Sequence, residues 1–439
     1  MIVSDLEPTD DLRGAARDRN GFHNARQETV LNFPRHFLWG AATAPTQIEG
    51  HVQNEWTNVV ARDGNTCRLA CDSYHRYAED VEWLVKLGVK AYRMGVEWSR
   101  LQSAPGAALN QKELARYCDL LDRLKQAGIE PMVVLHHFSN PPWITASGGW
   151  LNRKTVDAFV DYVGKLVGVL RGHVRLWNTF NEPDTYASNT YLLGEFPPFL
   201  KRRFLAFRTV IANMGEAHER ACRFIRAQGS EVGPVGVGFS KNWTWFHPFR
   251  NTTPWDHCLA AMCDAIFNQW VLRAFLGGRR KDASTFLGLN YYGRVRFANL
   301  RALVPVNGLC PQRLAGMGVV CDDMFERHPG GLETILKRLH RRYGLPVYLT
   351  EHGAASADDE FRARDLKENL AALHRAISHG VDVRGFFYWS LLDNFEWQFG
   401  FSKKFGLIAV DFSDAKLPRK MKPLGHAYRT LCQENRLTL

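Results

Sequence analysis

Two glutamates stand at the ends of apolar runs: Glu182 closes VRLWNTFNE before Pro183, and Glu351 closes LPVYLTE before His352 and Gly353. A carboxylate at the tip of an apolar strand is costly to bury without partners, so it is exposed at a sheet end or set in a polar pocket. Two carboxylates flanking a bound sugar are the equipment of glycoside hydrolysis: one protonates the leaving oxygen, and the other attacks or activates water. That chemistry needs no metal and no cofactor. Taken alone, Glu182 also suits an ordinary strand exit into a proline turn. Only the surrounding elements separate the two readings.

Apolar strands are expected at 37–43, 91–96, 130–135, 174–180, 235–239, 285–290, 345–350 and 383–389. Helical spacing is found at 72–87, 111–127, 154–170, 203–228, 332–343 and 365–379, and Gly88 and Gly128 sit where helix C-terminal glycines belong. Strands alternating with helices imply a parallel sheet. Eight of them over this length predict an α/β fold, a single (β/α)8 TIM barrel over 31–439, with a doubly wound open sheet as runner-up. Residues 1–30 are polar and aperiodic and read as an arm with little to pack.

A barrel gathers its functional groups at the C-terminal ends of its strands. Here the first strand leads to Gln47, the third to His137, the fourth to Asn181 and Glu182, the sixth to Asn290 and Tyr292, the seventh to Glu351 and the eighth to Trp389. A purely structural role gives no reason for polar residues at one end of so many strands. The fourth and seventh strand ends face each other across the mouth of such a barrel, so Glu182 and Glu351 can reach one bound atom. Trp389 and Trp397 offer flat apolar faces to a pyranose, while Gln47, His137, Asn181 and Glu396 can bond hydroxyls in pairs. Arg93, on the second strand, either neutralises a core carboxylate or keeps a nucleophile ionised.

Composition narrows the alternatives. The chain has 439 residues, 45% of them hydrophobic and 12% aromatic, enough to bury a large core. Its formal charge of +11 is dispersed, with short basic clusters at 201–203, 279–281 and 337–342, and no nucleic-acid motif accompanies them. A solvated basic surface is the expected reading. No run reaches the roughly 20 apolar residues of a membrane helix, and the N-terminus lacks a signal-type stretch, so a cytoplasmic protein without membrane partners is expected. Nine scattered cysteines, an odd number, do not form a disulfide framework. Cys67 and Cys71 have no second pair at zinc-like spacing, which leaves no metal site to expect.

The motifs FLWGAATAPTQIEG (37–50), TFNEP (179–183), LGLNYYG (287–293), VYLTEHG (347–353), YWSLLDNFEW (388–397) and KFGLIAVDF (404–412) follow one another in order. With them the chain resembles family 1 glycoside hydrolases, the retaining β-glucosidase and β-galactosidase group of (β/α)8 enzymes, over about residues 33–430. The resemblance implies Glu182 as general acid/base and Glu351 as nucleophile, with Arg93, Tyr292 and Asn290 supporting the nucleophile. It implies Gln47, His137, Asn181, Glu396 and Trp397 on the sugar hydroxyls, Trp389 as stacking platform and Phe405 near C6. It also implies carboxyl groups about 5 to 5.5 Å apart, a raised pKa for Glu182, and a small-molecule or oligosaccharide β-glycoside as substrate. Relatives acting on phosphorylated sugars usually carry a smaller polar residue at position 396, so Glu396 implies an unphosphorylated glycone through like-charge repulsion.

Three departures stand out. His352 replaces the usual Asn, and Ser139 and Asn140 replace a more usual acidic and apolar pair. Only Gly277 to Ser284 separates a helix ending near Phe275 from the sixth strand, where the family normally has a much longer segment. That shortening is expected to open the cleft, wet Glu182, weaken the barrel on that side, or expose an apolar face that another subunit of a homo-oligomer covers. It also motivates the alternative of a weakly active or idle carbohydrate-binding barrel.

Overall fold

The computed structural model describes residues 29–277, 284–297 and 319–439. Eight parallel strands close a ring: β1 (Leu38–Ala42), β2 (Ala91–Gly95), β3 (Glu130–Val134), β4 (Leu176–Asn181), β5 (Gly236–Asn242), β6 (Leu287–Asn290), β7 (Val347–His352) and β8 (Val383–Trp389). Closure between β8 and β1, with Gly385 opposite Leu38 and Trp389 opposite Ala42, excludes the open doubly wound sheet.

Helices fill the connections: α1 (Ser73–Leu87), α2 (Gln111–Gln126), α3 (Lys154–Leu170), α4 (Pro183–Tyr191), α5 (Phe204–Gln228), α6 (Pro254–Cys263), α7 (Val271–Leu276), α8 (Pro329–Tyr343), α9 (Asp359–Ser378) and α10 (Pro423–Glu434). Local chemistry sets their ends. Asn110 caps α2, accepting from the N–H groups of Lys112 and Glu113 at 3.1 and 3.3 Å, and α1 stops at Gly88, whose φ of 70° suits glycine. The helix expected from 365 starts instead at Asp359, because Asp358 caps it on Glu360 and Phe361. The polar run before 365 hides that start from a periodicity argument.

Two layers of apolar packing result. Ala42, Ala91, Met132, Leu176, Phe286, Tyr348 and Phe387 fill the barrel interior, and a much larger cluster lies between strands and helices. Glycines make room for the interior rings: a Cβ on Gly238 would stand 2.3 Å from the Phe286 carbonyl oxygen.

Residues 278–283, within the short segment, and residues 1–28 of the expected arm lie outside the described residues. The chain that follows the short segment is tied into the sheet. Thr285 N–H donates to the Val237 carbonyl at 2.7 Å, and β5 pairs with β6 from Ser240–Gly288 to Asn242–Asn290. The barrel is thus closed beside the short segment, with the β5–β6 ladder in place. Strand Val30–Asn32 pairs antiparallel with Arg436–Thr438 and joins the two ends of the described chain. Among the described residues, no helix is long and apolar enough to cross a membrane.

Candidate active site

The chain leaves β4 at Asn181 and turns sharply, with Glu182 in the left-handed region at φ 41°, ψ 62°. For a residue other than glycine this costs on the order of 1–3 kcal/mol. The conformation is held on one side by the Glu182 N–H, which donates to the Ser240 carbonyl at 2.8 Å, and on the other by Pro183 opening α4. Its carboxyl group is buried, and Asn290 Nδ2 donates to Oε1 at 2.7 Å.

Opposite, β7 delivers Glu351, which is also buried. Arg93 Nη1 donates to its Oε1 at 2.6 Å and the Tyr292 hydroxyl to its Oε2 at 2.7 Å. The same guanidinium, fully buried, donates through Nη2 to Asn181 Oδ1 at 2.6 Å and Ser240 Oγ at 3.2 Å. One planar cation thus ties β2 to the ends of β4, β5 and β7, a geometry that suits arginine and not lysine.

These surroundings separate the two carboxyl groups. Burial, then the negative charges of Glu351 and Asp184, push Glu182 up to about 8. Burial also raises Glu351, but Arg93 and Tyr292 pull in the opposite direction and favour its ionised form. The raised pKa that the resemblance implies for Glu182 thus has burial as its larger cause, ahead of the carboxylate neighbour. Nor is Glu182 left wet, since 5% of it is exposed.

An open cavity lies over the pair. Gln47, His137, Asn181, Glu182, Tyr292, Glu351, Trp389, Glu396, Trp397 and Phe405 all line it, while Arg93 and Asn290 support it from beneath. Gln47 Nε2 donates to Glu396 Oε2 and Asn394 Oδ1, both at 3.1 Å, and Asn181 Nδ2 lies 3.0 Å from His137 Nε2. The His137 ring is nearly parallel to Trp389 and Trp397, with centroids 5.9 and 6.1 Å away. Gln47 Oε1 and His137 Nδ1 are buried without a protein partner. Orphaned polar atoms of this kind suit ligand hydroxyls.

Glu396 requires a correction. Burial and the Glu351 charge push it up to about 8, so near neutrality it is protonated in the free cleft. Like-charge repulsion by Glu396 is therefore not what would turn away a phosphate.

The family model for glycosyl hydrolase family 1 matches residues 29–285 and 281–437, two pieces that meet at the short segment. The chain belongs to glycosyl hydrolase family 1. It is 33% identical to β-glucosidase A of Thermotoga maritima over 457 aligned residues, covering 93% of this chain and 99% of the relative. Among solved structures, the β-glycosidase from Pyrococcus horikoshii superposes with a TM-score of 0.80 at 31% identity, over 93% of this chain and 96% of that one. The Thermotoga maritima β-glucosidase in complex with deoxynojirimycin gives 0.78 at 31% identity, over 92% and 99%. A glycoside hydrolase is thus the enzyme class, and the closed barrel is the family's architecture.

Of the family departures, His352, Ser139 and Asn140 lie around the cleft and not in it. His352 points toward the helix layer, with Nδ1 2.7 Å from the Tyr291 carbonyl and Nε2 3.1 Å from Asp365 of α9. Ser139 donates to Glu97 at 3.0 Å, and Asn140 donates to Glu55 at 2.7 Å and to the Tyr186 hydroxyl at 2.9 Å. Each new polar side chain has found a polar partner.

Sequence reasoning missed Lys241 and Asp184. Lys241, buried at the end of β5, donates through Nζ to Asp184 Oδ2 at 2.8 Å, two residues beyond Glu182. A lysine closing the apolar run VGVGFSK was the available signal. Because the Asp184 charge raises Glu182, Asp184→Asn should move the basic limb of kcat/KM against pH toward lower pH. A limb that stays in place would disprove the coupling.

Proposed function

We propose that this chain is a retaining exo-β-glycosidase that hydrolyses unphosphorylated β-glucosides, with β-galactosides and β-fucosides as further substrates. The observation that carries the reading is the asymmetry of the carboxyl pair. Burial raises both groups, but Glu351 is gripped by a buried arginine and a tyrosine hydroxyl that favour its ionised form, whereas Glu182 meets a neutral amide and the negative charges of Glu351 and Asp184, which help push it up to about 8. Environments that push two acids apart assign an ionised nucleophile and a protonated acid.

In this reading Glu351 attacks the anomeric carbon from one face of the sugar as Glu182 gives its proton to the leaving glycosidic oxygen on the other. The product is a glycosyl ester on Glu351. Water then enters where the aglycone left, Glu182 takes its proton, and the ester opens with net retention of the β configuration. Arg93 and Tyr292 keep the attacking oxygen charged and aligned. The orphaned Gln47 Oε1 and His137 Nδ1 take sugar hydroxyls, while Trp389 and Trp397 cover the ring. Outward of the sugar, Leu192, Phe246, Phe267, Met324 and Phe325 line the cavity, a wall that favours an apolar aglycone.

The test is a panel of aryl β-glycosides with product stereochemistry followed by NMR. The β-glucoside should be hydrolysed with the β-anomer released first, and its 6-phosphate should be inert. No turnover of the β-glucoside, or first release of the α-anomer, would overturn the reading.

A further inference from the structure

We propose that His51, Asp72 and His75 form a binding site for one divalent transition-metal cation, on the first barrel loop and outside the sugar cleft. Asp72 stands at the N-terminal cap of α1, where an aspartate ordinarily accepts from the first free N–H groups of the helix. It accepts none of them, and its backbone is left-handed at φ 54°, ψ 27°. The Oδ1 atom is turned instead to two imidazoles, 2.6 Å from His75 Nδ1 and 3.3 Å from His51 Nε2. His51 is left-handed as well, at φ 50°, uncommon for a residue other than glycine. Two such conformations converge on one carboxylate.

The three ligand atoms all lie within 4.8 Å of one another. Around a tetrahedral zinc ion with bonds of about 2.0–2.1 Å, neighbouring ligand atoms stand about 3.4 Å apart. The His51 contact already has that spacing, and the His75 contact reaches it by a small side-chain rotation when a coordinate bond replaces its hydrogen bond. Each ligating nitrogen must be free of its proton, so a neutral imidazole carries its hydrogen on the other ring nitrogen, and an imidazolium releases one proton to solvent. All three side chains are partly exposed, at 47%, 23% and 57% for His51, Asp72 and His75, which admits the ion and lets water complete its shell. Two imidazoles and one carboxylate select Zn²⁺, Ni²⁺ or Cu²⁺ over Mg²⁺ and Ca²⁺.

The neighbouring cations are already engaged: Arg100 on Glu49 at 2.7 Å, Arg76 on Glu79 at 2.7 Å and Arg68 on Asn58 at 2.6 Å. The positive end of the α1 dipole opposes a cation, but weakly beside three coordinate bonds. His51 and Asp72 bracket the stretch carrying Trp56, whose ring packs 4.8 Å from Trp397. A bound ion would fasten both ends of that stretch. Sequence spacing conceals the site, because His51 is far along the chain from Asp72 and no Cys or His pair announces it.

Tag-free, metal-stripped protein titrated with ZnCl₂ in a calorimeter tests the proposal, alongside His51→Gln and His75→Gln. The wild type should bind one Zn²⁺ equivalent that both variants lose or hold at least about tenfold more weakly. Its Tm should rise by about 2 °C or more at a hundredfold excess over Kd, with a smaller rise in the variants. Matching melting curves for the metal-free proteins and unchanged glycosidase activity would show that the variants fold. Equal stoichiometry and affinity in wild type and variants, or no binding by the wild type at micromolar Zn²⁺, would overturn it.

Discussion

Glu351→Gly is expected to lower kcat on an aryl β-glucoside by about four to six orders of magnitude, the scale seen when the attacking group of a covalent mechanism is removed. The argument rests on position and charge. Glu351 alone of the two acids receives both a guanidinium bond at 2.6 Å and a phenol bond at 2.7 Å, donors that favour its ionised form. Removing it leaves Arg93 buried beside empty space rather than an alternative base. A small anion such as azide can enter that space and attack in its place, from the face Glu351 occupied. Partial recovery of turnover should follow, with an α-glycosyl azide as product. Near-wild-type hydrolysis by the variant, or a β-glycosyl azide, would sink the nucleophile assignment.

Glu182→Gln should behave differently according to the leaving group. Proton donation by a positioned acid contributes about 10²–10⁴-fold, and a poor alkoxide leaving group needs all of it. A nitrophenolate needs little help in departing, so that substrate should keep far more of its first-step rate. Its glycosyl-enzyme then accumulates, because the same residue is missing as base in the second step, and KM falls with kcat. Azide should relieve this second step with a β-glycosyl azide, the opposite anomer to that from the Glu351 variant.

The pH profile supplies a further check on Glu182. In the proposed mechanism activity requires Glu182 protonated, so kcat/KM of the wild type should fall as pH rises through the region of about 8 to which burial and neighbouring charges push that group. The acid limb belongs to Glu351, whose raised pKa places the limb above the ordinary carboxylate range. Both apparent values belong to the interacting pair. In Glu182→Gln the basic limb should vanish while the acid limb remains. A variant that keeps the basic limb, or loses equal activity on all leaving groups, would refute the acid/base role.

Much was legible in the chain itself. The strand and helix periods predicted all eight barrel strands to within a few residues, and apolar runs ending in Asn181, Glu182 and Glu351 marked the face where chemistry sits. This worked because a parallel barrel strand, buried on both sides, writes a continuous apolar run that stops only where the cleft begins. Helix starts were less visible: α9 begins at Asp359, within a polar stretch whose cap signal has no period.

Other features depend on distances that no spacing encodes. That Arg93 reaches both Glu351 and Asn181, that Lys241 neutralises Asp184 behind Glu182, and that His51 meets Asp72 are consequences of closing the ring. The same holds for Glu396, which burial and the Glu351 charge push up to about 8, a shift that residue type alone does not show. The sequence by itself determined the barrel, its working face and the family, since those follow from local periodicity and ordered motifs. Only the tertiary structure supplied the distinct environments of Glu182 and Glu351, because a pKa is set by the solvent, charges and donors around a group, and folding alone brings those together.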